Sequence, residues 1–194
     1  MPPAACPPPP PLRWAWHDHP HHTVAEAAAR AWLGQALDLP AAAVPLLRDR
    51  HGRPRLQAPR AGFDTSWSHS GEGLLIALGE DVDIGIDLER LRPRPRAAEL
   101  ARRFFTAQEA EWLAAQDPAR RDLDFVRLWC AKEALLKAHG RGLAFGLHRL
   151  QFAERDGALA LVACDRALGA AGDWTVHEWS PRPGYHAALA WRAA

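Results

Sequence analysis

Lysine is nearly missing from this chain. Of 24 Lys+Arg residues only two are lysines, Lys132 and Lys137, five positions apart. An arginine bias of this kind usually reflects nucleotide composition. Two lysines that escape it point to places where a guanidinium will not serve, because an ammonium can release a proton and a guanidinium cannot at ordinary pH. Cysteine is scarce too. Cys6, Cys130 and Cys164 are odd in number and scattered, which argues against a disulfide framework and a zinc cluster and fits reduced thiols. No apolar run approaches the roughly 20 residues of a membrane helix. The proline-rich start lacks the cationic-then-apolar order of a signal peptide. Charge of one sign is also absent: 24 cationic against 23 acidic residues leave +1. No global field therefore recruits nucleic acid or an anionic membrane, and any anion site must be local. The expectation is a cytoplasmic protein with no nucleic-acid or membrane partner.

The 194 residues suffice for one domain or two small lobes. Residues 1–11 form a proline-rich tail unable to pack as helix or strand. Residues 24–39 carry helical periodicity, with Thr23 as the N-cap and Pro40 as the stop. Turn-rich stretches at 50–54 and 61–73 read as loops. Strands are expected at 74–78 and 82–88, joined as a hairpin through 79–81. The alternating prolines at 91–96 mark a boundary, giving an N-terminal lobe at 12–92 and a C-terminal lobe at 93–194. Helices follow at 97–105, 107–115 and 120–138, the last ended by Gly140. Strands follow at 150–153, 159–163, 174–179 and 186–191, with Asp156-Gly157 as a hairpin turn. The pattern is α+β: two similar lobes, each with helices packed on a small, mostly antiparallel sheet, and a cleft between them.

Two segments carry chemistry. In Asp83-Ile-Gly-Ile-Asp-Leu-Glu89 strand alternation places Asp87 and Glu89 on one face, about 7 Å apart, near enough to share a cation. A solvated strand end explains the same residues. In Trp129-Cys-Ala-Lys-Glu-Ala-Leu-Leu-Lys137 Glu133 and Lys137 are one helical turn apart, which by itself describes a surface ion pair. With Lys132 beside them, a carboxylate flanked by ammonium groups and able to meet Asp87 and Glu89 describes a magnesium–diphosphate site.

Together these residues resemble the 4′-phosphopantetheinyl transferases of the surfactin-synthetase-activating type, whose hallmark is G-[IV]-D-x-E followed some forty residues on by W-[STC]-x-K-E-[AS]-x-x-K. Gly52-Arg-Pro54, Ser66-Trp-Ser-His-Ser70, Arg103-Phe-Phe-Thr106 with Glu109, and Gly140-Arg-Gly-Leu143 are similar to further family segments in the same order.

The resemblance implies transfer of 4′-phosphopantetheine from coenzyme A to a serine of an apo acyl or peptidyl carrier protein, releasing 3′,5′-ADP, by a monomer. It implies Mg2+ on Asp87, Glu89 and Glu133. Glu109 would be the base for the serine, Lys137 would assist the departing nucleotide, and Lys132 would contact phosphate. Arg53, Ser68 and His69 would bind the phosphates of coenzyme A. Thr106-x-x-Glu109 also reads as a helix capping box, and Cys130 as a packing residue. The chain departs from the family near the first helix, where His17, His19, His21 and His22, with only Arg13 and Arg30, replace the usual cations. Two other readings remain: a Mg-dependent phosphohydrolase of coenzyme A or nucleotide diphosphates, and a non-catalytic carrier- or nucleotide-binding module.

Overall fold

The computed structural model describes residues 12–20 and 23–194. The proline-rich tail expected at 1–11 lies outside the described residues, as do His21 and His22. In chain order the elements are β1 (Arg13–Asp18), α1 (Ala25–Leu37), β2 (Leu46–Arg48), β3 (Pro54–Leu56), β4 (Phe63–Ser70), β5 (Gly73–Glu80) and β6 (Val82–Arg90). Then come α2 (Ala97–Phe104), α3 (Ala107–Ala114), α4 (Pro118–His139), β7 (Leu150–Arg155), β8 (Ala158–Cys164), β9 (Thr175–Trp179) and β10 (Tyr185–Ala193). The architecture is α+β, with every ladder antiparallel. Among the described residues no helix is long and apolar enough to cross a membrane.

Two three-stranded sheets dominate, in the orders β1-β5-β4 and β6-β10-β9. The expected hairpin between residues 74–78 and 82–88 does not form. Asp81 takes a left-handed conformation at φ 53° and turns the chain out of the first sheet. β5 then pairs with β4, whereas β6 pairs with β10 over Val82–Arg90. The strand that precedes the proline boundary is thus laddered to the last strand of the chain.

Residues 61–73 hold a strand, β4, where a loop was expected. Its polar alternation looks solvent-facing but is not. Asp64, Ser66 and Ser70 reach across to β6 and accept from the amides of Ile84 (2.9 Å), Ile86 (3.2 Å) and Arg90 (3.0 Å). Side-chain oxygens here do the work of a ladder and seal the seam between the sheets. Thr23 is not the cap of α1 either. Val24 is the N-cap residue, and the Thr23 hydroxyl donates to the Pro20 carbonyl at 2.8 Å.

Helix α4 is the spine of the molecule. Asp117 caps it, Pro118 opens it and Gly140, at φ 89°, ends it. Its apolar residues Phe125, Leu128, Ala131, Ala134 and Leu135 are buried in the largest core cluster, together with Ala188 and Ala190 of β10. Asp156 and Gly157, at φ 52° and 82°, form the expected turn between β7 and β8, since both centre positions of a type I′ turn need positive φ.

Candidate active site

Strand β6 and helix α4 bring the acidic groups face to face. Asp87 is only 5% exposed. Its Oδ1 accepts from the Ser68 hydroxyl at 2.8 Å and from the Lys137 ammonium at 2.7 Å. Lys137 also donates to the Ile86 carbonyl at 3.1 Å. The lysine therefore reaches across the cleft to Asp87 and not back one turn to Glu133, so the simple helix-surface ion pair is absent. Asp87 Oδ2 is buried and has no partner.

Glu133 stands one turn before Lys137 and is buried as well. Burial, then the neighbouring charge of Asp87, and to a lesser degree Glu89, raise its carboxyl to about 7, with Lys137 pulling the other way. Glu89 is also raised, by burial and by Asp87, although Arg94 donates to its Oε2 at 2.6 Å. Like charges crowd here, and a single lysine does not relieve all of them.

This crowding has a measurable consequence for stability. A carboxylate whose folded pKa lies above its unfolded value opposes folding once it must ionise. The penalty for Glu133 is absent below about 4.5, grows through the window up to about 7 and is complete above it, reaching roughly 3 kcal/mol. Glu133→Gln is expected to raise the melting temperature at pH 8 in the absence of divalent cations and to leave it unchanged at pH 4. Equal effects at both pH values would contradict this account.

The same features fit a divalent cation. The donor set is all oxygen, one buried carboxylate oxygen is orphaned, and a neighbouring carboxyl is pushed toward neutrality by burial and then by like charge. Among the described residues no three His, Cys, Asp or Glu side chains form a ready-made metal cage. That suits Mg2+, which usually takes one or two carboxylates and completes its shell with waters and substrate phosphates.

Five other residues singled out from the sequence have different surroundings. Lys132 is fully buried and saturated: its ammonium donates to the Leu147 carbonyl at 2.9 Å and the Leu150 carbonyl, and pairs with Glu109 at 2.8 Å. Burial lowers it to about 8 even with that carboxylate beside it. This position places the ammonium in the core and away from solvent. Glu109, 2% exposed, accepts from the Thr106 amide and hydroxyl at 2.9 Å each and from the Phe152 amide at 2.8 Å. The capping box is real, and the carboxylate is engaged in these contacts. Arg53 spends four of its N–H groups on the Lys137, Ala138 and Ile84 carbonyls and on Asp64, so it fastens the end of α4, and it also lines the cavity beside Lys137. Ser68 is at the site, as the donor that orients Asp87. His69 lies on the opposite face of β4, exposed, its ring 5.0 Å from that of His19. Nor do the two arginines near the first helix supply free cations. Arg30 is held by Glu26 and the Val44 and Leu46 carbonyls, and Arg13 by the Ala36 carbonyl.

Next to Lys137 opens a cavity of about 220 Å³ whose walls include Arg48, His51, Trp67 and Gly140. Arg48 lies over the Trp67 ring, 5.5 Å from its centroid. Sequence reasoning singled out none of Arg48, His51 and Trp67 as site residues. Proximity to the Gly52-Arg-Pro54 and Ser66–Ser70 segments was the available signal.

Residues 83–190 match the family model of the 4′-phosphopantetheinyl transferase superfamily. A Synechocystis sp. protein named as a candidate 4′-phosphopantetheinyl transferase is 42% identical over 83 residues, 43% of this chain and 34% of that protein. The 4′-phosphopantetheinyl transferase psf-1 of Bacillus pumilus is 33% identical over 123 residues, 63% of this chain and 51% of that one. HetI of Nostoc sp., another 4′-phosphopantetheinyl transferase, is 36% identical over 124 residues, 63% and 52%. The match thus spans between a third and about half the length of these relatives. The family-model match at residues 83–190 includes Asp87 and Glu89 of β6 and Glu133 and Lys137 of α4. The chain belongs to the 4′-phosphopantetheinyl transferase superfamily.

Proposed function

We propose that this protein transfers 4′-phosphopantetheine from coenzyme A to a serine of an acyl or peptidyl carrier protein and releases 3′,5′-ADP. The observation that carries the reading is the Lys137–Asp87 contact beside the buried, partnerless Asp87 Oδ2 and the charge-crowded Glu133. It lies within the stretch that matches the family and at the mouth of a cavity walled by Arg48, His51 and Trp67. A cofactor diphosphate would lie beside Lys137 and the carboxylates, with the nucleotide in the adjoining cavity of about 220 Å³. A second, mostly apolar cavity of about 630 Å³, whose walls include Leu91, Leu123, Trp179 and Tyr185, lies toward the other end of α4 and suits the pantetheine arm.

Asp87 and Glu133, with Glu89 close by, would hold Mg2+, which supplies charge neutralisation at the phosphates when bound. Lys137 is the chain's own contribution to the leaving group. Its ammonium is within reach of a phosphate at the carboxylates and can surrender a proton to it, which the chain's many arginines cannot do. Ser68 orients Asp87 through its hydrogen bond to Oδ1 and leaves the buried Oδ2 without a partner. The phosphohydrolase reading would use the same groups with water as the nucleophile, and no feature of the site favours it.

The test is a mass measurement. Purified protein, coenzyme A and Mg2+ are incubated with a panel of apo carrier proteins. Gain of phosphopantetheine on a carrier is expected, with Asp87→Asn slower by about a hundredfold or more, as for removal of an electrostatic anchor. Coenzyme A cleavage with no carrier modified would overturn the proposal in favour of hydrolysis. No turnover with any carrier would favour a binding module.

A further inference from the structure

Arg53 joins the backbones of the two elements that carry Asp87 and Lys137. It lies between β2 and β3, and Asp49 holds its main chain twice: the Arg53 amide donates to Asp49 Oδ1 at 3.1 Å, and the Arg53 carbonyl accepts from the Asp49 amide at 2.9 Å. Arg53 and its partner Asp64 are buried, at 8% and 7% exposure. All four terminal N–H groups of the guanidinium are spent. Nη1 donates to the Lys137 and Ala138 carbonyls, in the last turn of α4 where carbonyls run out of helical partners. Nη2 donates to Asp64 of β4 and to the Ile84 carbonyl of β6 at 2.9 Å, and Asp64 accepts from the Ile84 amide at 2.9 Å. One side chain thus holds the main chain of Lys137 itself and, three residues before Asp87, the strand that carries Asp87. A cation at this end of a helix is also favoured by the helix dipole. The remaining N–H, on Nε, is buried without a partner.

We propose that Arg53 is a positioning residue for the transfer step. It sets the reach of Lys137 across the cleft to Asp87, 2.7 Å away, and acts through the end of α4 and not by contact with coenzyme A. This rests on the transferase reading above and extends it to a residue outside the reacting groups. The competing role is a direct phosphate contact, since Arg53 also lines the cavity beside Lys137. One substitution separates the two roles. A phosphate contact needs a positive charge, which lysine keeps. A latch needs donors spread over a planar fork to reach carbonyls on two elements and a carboxylate on a third. A single ammonium, with its donors at one point, does not span them.

The experiment measures coenzyme A binding by calorimetry and kcat with a saturating apo carrier protein. The variants are Arg53→Lys, Lys137→Gln and the two combined, with thermal melts to set the folded fraction. Arg53→Lys should lower kcat about tenfold or more and change coenzyme A affinity by less than about threefold. In the Lys137→Gln background the same substitution should lower kcat by less than about twofold, because the residue it acts through is gone. A general loss of structure would instead cost the same factor in both backgrounds. Asp64→Asn weakens the same latch from a residue that is not part of the cavity wall, and it carries the test if Arg53→Lys does not fold: kcat should fall, affinity should hold, and the fall should again vanish without Lys137. Coenzyme A affinity weakened more than about fivefold with kcat kept would assign Arg53 to phosphate and overturn the inference. An equal loss of kcat with and without Lys137 would overturn it too, and the transferase reading survives either result. If the unaltered protein modifies no carrier, the transferase reading falls and takes this inference with it.

Discussion

Glu109→Ala is expected to lower stability by about 3–5 kcal/mol, the usual cost of stripping one partner from a buried ion pair. For a chain of this size that corresponds to a fall in melting temperature on the order of 10 °C. The reason is the company Glu109 keeps. Among the described residues it is the only acid paired with Lys132, an ammonium with no solvent access, and it also accepts from the amides of Thr106 and Phe152. Truncation leaves a charge and a strand amide uncompensated in the core. Glu109→Gln should cost less, because an amide oxygen still accepts from Phe152 and Lys132 can shed its proton. A catalytic base would behave differently: a well-folded, inactive alanine variant with a displaced pH profile. Calorimetry with a pH–rate profile on the glutamine variant separates the two, and an alanine variant melting within about 2 °C of the parent would refute the structural role.

The second large effect is expected from a single methyl group. Gly85 is where β6 touches α4. A Cβ there would lie 2.0 Å from the Ala134 carbonyl oxygen and 2.4 Å from the Ala138 amide nitrogen. Both obstacles are backbone and neither can swing aside. Gly85→Ala must therefore push α4 away from the sheet, or fail to fold, with a cost at the upper end of overpacked core substitutions, about 3 kcal/mol or more. The displacement falls between Glu133 and Lys137, so the Lys137–Asp87 contact at 2.7 Å should break as well. Any folded fraction is expected to lose the proposed carrier modification by about a hundredfold, since misplacement of about 1 Å is enough for that. Parent-like melting and turnover would contradict this packing.

The candidate residues that the proposed chemistry would need at fixed spacing stood out in the sequence. Gly85, Asp87, Glu89, Glu133 and Lys137 could be read from two short segments, because strand and helix periodicity place them before any tertiary contact is known. The helices α2, α3 and α4 and the four late strands were legible for the same reason. What periodicity does not carry is which way a charged side chain faces. Lys132 and Glu133 are neighbours in sequence, yet one points into the core and the other into the cleft. Strand β4 was hidden because its serines look like a solvated loop, whereas they serve as acceptors for the amides of β6. The pairing of β6 was hidden because a short turn after β5 looks like a hairpin, and only a global arrangement sends the strand elsewhere. Arg94 passed as linker for want of any local sign that it would meet Glu89.

The ladder between β6 and β10 also dictates when the machinery can come into being. Ala188, opposite Asp87, and His186, opposite Glu89, emerge from the ribosome about a hundred residues after the acids they flank. Until then the acidic strand has no hydrogen-bonded neighbour on that edge. Completion of the candidate site therefore waits on a pairing across about a hundred residues, whose loop-closure cost must be met first.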